Sequence, residues 1–232
     1  MKNSSIKINV SNRQTHWKSA IVWISSNTAL ARNKTTLCSS SMSDFAILKG
    51  LNISIHPPKS PVIKEIFWKP PPDFWIKCNT DGAATSTSSA CGGIFRNHLA
   101  DFIYCFAENT GLESAFHAEL CGVMRAFEIA ASKDWSNLWL ETDSTLVVQA
   151  FNDTSLVPWR LRNRWFNCSI LIKSMNLIVS HIYREDNTCA DGLANIGLSL
   201  DMFTFWYDMS DVIRDRFISY RQGRPNYRFV NL

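Results

Sequence analysis

A chain of 232 residues that is 46% hydrophobic and 12% aromatic has ample apolar mass for a packed core, which excludes wholesale disorder. Its seven cysteines form no CxxC pair, which argues against a zinc ribbon or a disulfide framework and for reduced, mostly buried thiols. The net charge of +4 hides an asymmetry, because residues 1–72 sum to +8, residues 73–201 to −6 and residues 202–232 to +2. An acidic middle cannot hold a polyanion by bulk charge, so metals and local arginines must do so, helped by the basic arm.

In chain order, the first 43 residues hold no acid, six Lys/Arg and ten serines, a composition like that of an organellar transit peptide. The alternative is a remnant of an upstream domain with a helix near Trp17–Arg32. A nuclear or cytoplasmic location is expected from the cysteines, organellar targeting being the other option, and no apolar run reaches the length of a membrane span. Six of the eight prolines fall between Pro57 and Pro72 and deny a strand its donors, so residues 57–72 read as a linker between a basic segment, 1–56, and a domain over 73–201. Residues 202–232 read as a tail.

Within that domain Phe74–Ala83 alternates as a strand. Ala90–Asn97 and Phe102–Ala107 flank a polar turn and predict a hairpin. In Ser114–Lys133 the residues Phe116, Leu120, Val123, Phe127 and Ala130 recur at helical spacing. A short strand at Leu138–Thr142 precedes a helix over about 145–151, and Pro158 can open another running to about Met175. Leu177–Tyr183 is β-rich, and Asn187 is expected to cap a helix through Leu200. Three strands followed by alternating elements predict an α/β fold with a mixed sheet and helices on both faces.

Four carboxylates end or open these elements: Asp81, Glu119, Asp143 and Asp191. Brought together, they would repel so strongly that several would stay protonated. Divalent cations between them remove the conflict. All-oxygen ligands suit Mg²⁺ or Mn²⁺, and two such ions about 4 Å apart can clamp both oxygens of an in-line phosphoryl displacement. Each acid also has an ordinary explanation: Asp81-Gly82 as a turn, Asp143 and Asp191 as helix caps. Glu119 has less of one, because Gly122 and Ala126 leave its helix face small and open, and a semi-buried charge needs a partner. Gly82 lets backbone approach a ligand closely.

The motifs Asn79-Thr80-Asp81-Gly82, His117-Ala118-Glu119-Leu120, Glu141-Thr142-Asp143-Ser144 and His181 through Asp191 resemble the type 1 ribonuclease H family. They are most similar to the ribonuclease H-like domain of plant retrotransposon-derived (LINE-type) elements, over roughly residues 73–201. The resemblance implies a five-stranded sheet of order 3-2-1-4-5 with strand 2 antiparallel, and hydrolysis of the RNA strand of RNA–DNA hybrids by a two-metal mechanism. It implies Asp81, Glu119, Asp143 and Asp191 as catalytic ligands of two Mg²⁺ ions, with Mn²⁺ able to substitute, and His181 as an assistant in proton transfer or product release. His181 is otherwise an ordinary surface histidine. Gly82, Ser114 and His117 are placed to contact the hybrid. Arg160 and Arg164 share a helix face and could touch phosphates, or could be the solvated face of an amphipathic helix. A monomer that binds nucleic acid and no membrane is expected. The rival reading is a domesticated or decayed retroelement fragment that binds nucleic acid without cutting it.

Overall fold

The computed structural model describes residues 17–33, 41–51 and 62–230. The chain divides into two compact units, one including helices α1 (Trp17–Asn33) and α2 (Met42–Gly50), the other running from Ile63 to Arg228. α1 coincides with the helix expected near Trp17.

In the larger unit the expected elements all form: strands β2 (Ile76–Ala84), β3 (Ser89–Arg96) and β4 (Phe102–Gly111), helix α3 (Ala115–Ser132), strand β5 (Asn137–Thr142), helices α4 (Thr145–Asn152) and α5 (Arg162–Leu171), strand β6 (Asn176–His181) and helix α6 (Thr188–Gly197). Short 3₁₀ turns at Trp159–Leu161 and Ile172–Ser174 bracket α5, so the stretch opened by Pro158 is less regular than its composition predicts. Sheet order is β6-β5-β2-β3-β4 followed by a further strand after β4, with β3 antiparallel to β2 and β5 parallel to it. The first five strands of this unit's sheet thus take the expected 3-2-1-4-5 order. A sixth, β7 (Thr204–Trp206), joins β4 antiparallel and corrects the five-strand expectation. Three residues are too few to show any periodicity, and Phe205 is held there by packing on Tyr104.

Helices cover both faces, which is why all eight residues of β3 are buried instead of alternating. Leu120, Met124 and Phe127 of α3 pack with Cys78, Phe95, Leu138 and Leu140 against one face. Burial of a side chain such as Phe127 contributes about 1.5–3 kcal/mol, and Phe127→Ala would cost about 3–5 kcal/mol with the cavity included. Leu193 of α6 packs with Ile94 and Cys105 on the other face, joined by Ile213, Phe217 and Tyr220 of α7 (Asp211–Arg221).

The ends of this unit are more structured than the expected linker and tail. Val62–Ile66 forms β1, which pairs with β8 (Asn226–Val230), while Ile66 and Trp68 are buried. Residues 202–230 contribute β7, α7 and β8. Asn187 does not cap α6 through its side chain; its Nδ2 donates instead to the Thr80 carbonyl at 3.0 Å. The six described cysteines are free and buried, and no described helix is long and apolar enough to cross a membrane.

Candidate active site

The parallel pairing of β2 with β5 sets Thr80 opposite Thr142, so the next residues, Asp81 and Asp143, emerge side by side. Glu119 arrives from α3, one turn in from the Ser114 N-cap, whose Oγ accepts from the His117 amide at 3.2 Å. Gly82 makes this convergence sterically allowed. A Cβ there would lie 2.4 Å from the Glu119 backbone nitrogen and 2.8 Å from the Ala118 carbonyl carbon. The close approach that this glycine permits is therefore that of helix α3. Gly92, paired with Asp81, plays the same part for α6: a Cβ would fall 2.4 Å from the Ala194 nitrogen.

Carboxylate oxygens of Asp81, Glu119 and Asp143 lie within 4.8 Å of one another. The Asp81 side chain is 4% exposed and accepts from the Gly82 amide at 2.8 Å; Glu119 is 9% exposed and accepts from Thr142 Oγ1 at 3.2 Å. Burial, then the Asp143 charge, pushes Asp81 up to about 7. Burial, then Asp81 and Asp143, pushes Glu119 up to about 9. Asp143 is raised as well, chiefly by burial, against the opposing pull of Arg184. A set that resists ionisation this strongly, built only from hard oxygens and with two ligands fixed by neighbouring donors, fits a divalent cation.

Asp191 stands apart from the three. It sits in the first turn of α6 and its charge is felt by Asp81, but its Oδ2 lies 3.8 Å from Arg216 Nη1 on α7 and its Oδ1 accepts from Asn195 at 3.2 Å. Arg216 also donates to the Thr188 carbonyl at 2.8 Å. Nothing in the sequence marks Arg216, because only the docking of α7 brings it to Asp191.

His181 ends β6 beside Asp143, with Nε2 3.1 Å from the Asp143 carbonyl oxygen. Arg184 Nε is 3.9 Å from Asp143 Oδ2 and its side chain is exposed. Glu113 gathers two further candidates, with His117 Nδ1 at 3.6 Å and Arg160 Nη1 at 2.9 Å. Ser114 and Arg160 are exposed near the start of α3, the helix that carries Glu119. Arg164 does not join them. Its Nε and Nη2 bond both oxygens of Glu128 at 2.7 and 2.9 Å, which ties α5 to α3.

Behind Asp81 lies a buried polar network that sequence reasoning missed. Asn79 Oδ1 accepts from Arg96 Nη2 at 2.7 Å and from Trp68 Nε1 at 3.1 Å, while its Nδ2 donates to Glu141 Oε2. Lys77 Nζ sits 2.9 Å from Glu141 Oε1 and donates to the Lys69 carbonyl. Burial outweighs Glu141 and lowers Lys77 to about 8. The Arg96 guanidinium lies 3.8 Å from the Trp68 ring centroid. Lys77, Asn79 and Asp81 share one face of β2, so this network holds the strand that presents Asp81.

A family model described as reverse transcriptase-like matches residues 79–197, a span that includes all four acids. The chain belongs to this family. A relative of this reverse transcriptase-like domain in Arabidopsis thaliana, which carries a provisional ribonuclease H name, is 32% identical over 165 residues. That alignment covers 66% of this chain and 26% of the relative, so the chain spans about a quarter of the relative's length. Among solved structures, LC9-RNase H1, a type 1 ribonuclease H, has a TM-score of 0.52 over 66% of this chain and 86% of its own, at 12% identity. RNase H1 of Halobacterium salinarum is 25% identical with a TM-score of 0.47, covering 53% of this chain and 97% of its own. The fold of this reverse transcriptase-like domain is that of ribonuclease H.

Proposed function

We propose that this chain is a metal-dependent nuclease that hydrolyses the RNA strand of RNA–DNA hybrids. The observation that carries the reading is the convergence of Asp81, Glu119 and Asp143 within 4.8 Å, where burial opposes their ionisation unless positive charge is supplied. Asp81, Glu119 and Asp143 would hold Mg²⁺ or Mn²⁺, with Asp191 as an additional ligand. Bound there, a pair of divalent ions supplies acidification of a water molecule and stabilisation of the charge that develops on the phosphoryl oxygens.

The chain's own groups do the rest. The Gly82 amide and Thr142 Oγ1 lock the carboxylates of Asp81 and Glu119 in one orientation, so the ligand set is preorganised. His181 stands at the exposed rim, where its ring can pass a proton between solvent and a departing 3′ oxygen. Ser114, His117 and Arg160 form a polar shelf at the start of α3. Contacts from this shelf to 2′-hydroxyls across a wide, shallow minor groove would separate RNA from DNA.

The purified 232-residue chain should cut the RNA of a labelled hybrid only with Mg²⁺ or Mn²⁺, and should leave duplex DNA and duplex RNA intact. Full cleavage in chelator, or equal cleavage of duplex DNA, overturns the proposal. Binding to hybrid without cleavage in Mg²⁺ would instead favour a domesticated fragment.

A further inference from the structure

The body that carries the acids is itself acidic, at −6 over residues 73–201, so a bound phosphate chain needs cations from elsewhere in the fold. The β1–β8 ribbon, outside the family match, supplies them. Residues 62–69 and 224–228 hold Lys64, Lys69, Arg224 and Arg228 against the single acid Glu65. No described carboxylate pairs with Lys64, Lys69 or Arg224.

Between this ribbon and the segment that follows β6 lies a groove of about 540 Å³, with Phe67 and Lys69 on one wall and His181 and Tyr183 on the other. Two aromatic rings open into it, Phe67 at 46% exposure and Tyr183 at 37%. Cations flank the second ring: Lys64 Nζ lies 5.5 Å and the Arg228 guanidinium 4.6 Å from the Tyr183 centroid. The acids at the groove are largely engaged. Glu185 is paired with Arg228 at 3.1 Å, and buried Asp186 accepts from Asn226 Nδ2 at 2.6 Å, leaving Glu65 at the lip. The groove is continuous with the candidate active site, because the His181 ring packs edge-on against Tyr183 and bonds the Asp143 carbonyl. Arg184 bridges the same gap toward Asp143 Oδ2.

We infer that this groove binds an unpaired, single-stranded nucleic-acid segment that continues from the cleaved hybrid. The inference rests on the nuclease reading of the adjacent acids. Aromatic faces interleaved with cations suit bases freed from pairing, whose rings stack while Lys64, Lys69 and Arg184 take the phosphates. Paired bases offer no free ring face to Phe67 or Tyr183, so the groove selects a tail over a duplex.

The test measures binding of the 232-residue chain to a blunt RNA–DNA hybrid and to the same hybrid carrying a single-stranded extension at either end. Fluorescence anisotropy in chelator reads affinity without cleavage. The extension should tighten binding by roughly tenfold per stacked base. Phe67→Ser should remove most of that gain, and the pair Lys64→Glu with Lys69→Glu should remove it more strongly at low salt. These three residues are exposed, so the variants should fold, and circular dichroism verifies that. No gain from the extension, or a gain that survives both variants, overturns the inference. Competition by polyglutamate as strong as that by oligothymidylate would mark an acidic-peptide surface instead and also overturns it. If hybrid is cut but the extension adds nothing, the groove fails and the nuclease reading stands. If hybrid is never cut yet oligothymidylate binding depends on Phe67, the groove stands and the nuclease reading fails.

Discussion

Replacing Asp81 by Asn in the metal-free protein isolates the electrostatic cost of the acidic cluster. A carboxyl whose folded-state pKa lies above its unfolded value keeps a proton that the unfolded chain has released. Stability therefore falls as pH rises, here through the window from 3.8 to about 7. Across that whole window the penalty is ~4 kcal/mol, at about 1.4 kcal/mol per pH unit. At about pH 5 less than half of it applies, and at about pH 8 the full penalty does. Asparagine carries no charge at either pH and keeps an oxygen to accept the Gly82 amide, so Asp81→Asn should stabilise the apo protein more at the higher pH. For a unit of this size ~4 kcal/mol corresponds to roughly 8–16 °C in Tm, and the gain at about pH 5 to less than half of that. Thermal unfolding in EDTA at the two pH values measures both. Adding Mg²⁺ should then stabilise the wild type and leave the variant nearly unmoved. A variant that is less stable than wild type at about pH 8, or whose advantage does not depend on pH, would refute the reasoning and make Asp81 a structural residue.

Gly82→Ala should cost about 1–3 kcal/mol and most of the hybrid cleavage, since the new Cβ meets α3 backbone instead of a side chain that can swing away; wild-type Tm together with wild-type rate would show that α3 is free to shift. Arg216→Gln should tighten Mn²⁺ binding by roughly threefold to tenfold, because it removes a cation from beside Asp191, and titration followed by electron paramagnetic resonance reads this without any turnover. Unchanged or weaker Mn²⁺ affinity would mean that Asp191 does not face the ion. Deleting residues 1–56 removes seven Lys/Arg and one acid, so hybrid binding should weaken and its salt dependence become shallower, while the rate at saturating substrate stays the same. An unaltered salt slope would show that the arm does not touch nucleic acid.

How much of this was legible beforehand differs from residue to residue. Asp81 and Asp143 could be picked out because one lies near the end of an alternating segment and the other directly follows a short strand, and Glu119 because it adjoins the apolar stripe of a period-3.6 helix. Those are local signals, carried by neighbours a few positions away. Arg164 could not be read that way. Spacing puts it on a face with Arg160, yet one arginine goes to Glu113, just before α3, and the other to Glu128 within α3, partners more than thirty positions distant. The tail was misread for a related reason. Asp211–Arg221 is rich in charge, and only contact with Trp68 and Ile94 makes Ile213, Phe217 and Tyr220 a buried stripe.

By itself the sequence determined the element types between Phe74 and Leu200, the strand order that its family resemblance implies, and the chemistry of an all-carboxylate set that calls for a hard cation. Tertiary structure alone decided which acids meet. The β2–β5 register sets Asp81 beside Asp143, and Gly82 lets α3 deliver Glu119, while α7 draws Asp191 toward Arg216. The division has a physical cause. Helix and strand preference is written in short-range periodicity, whereas the approach of two backbones depends on the volume left between elements far apart in the chain.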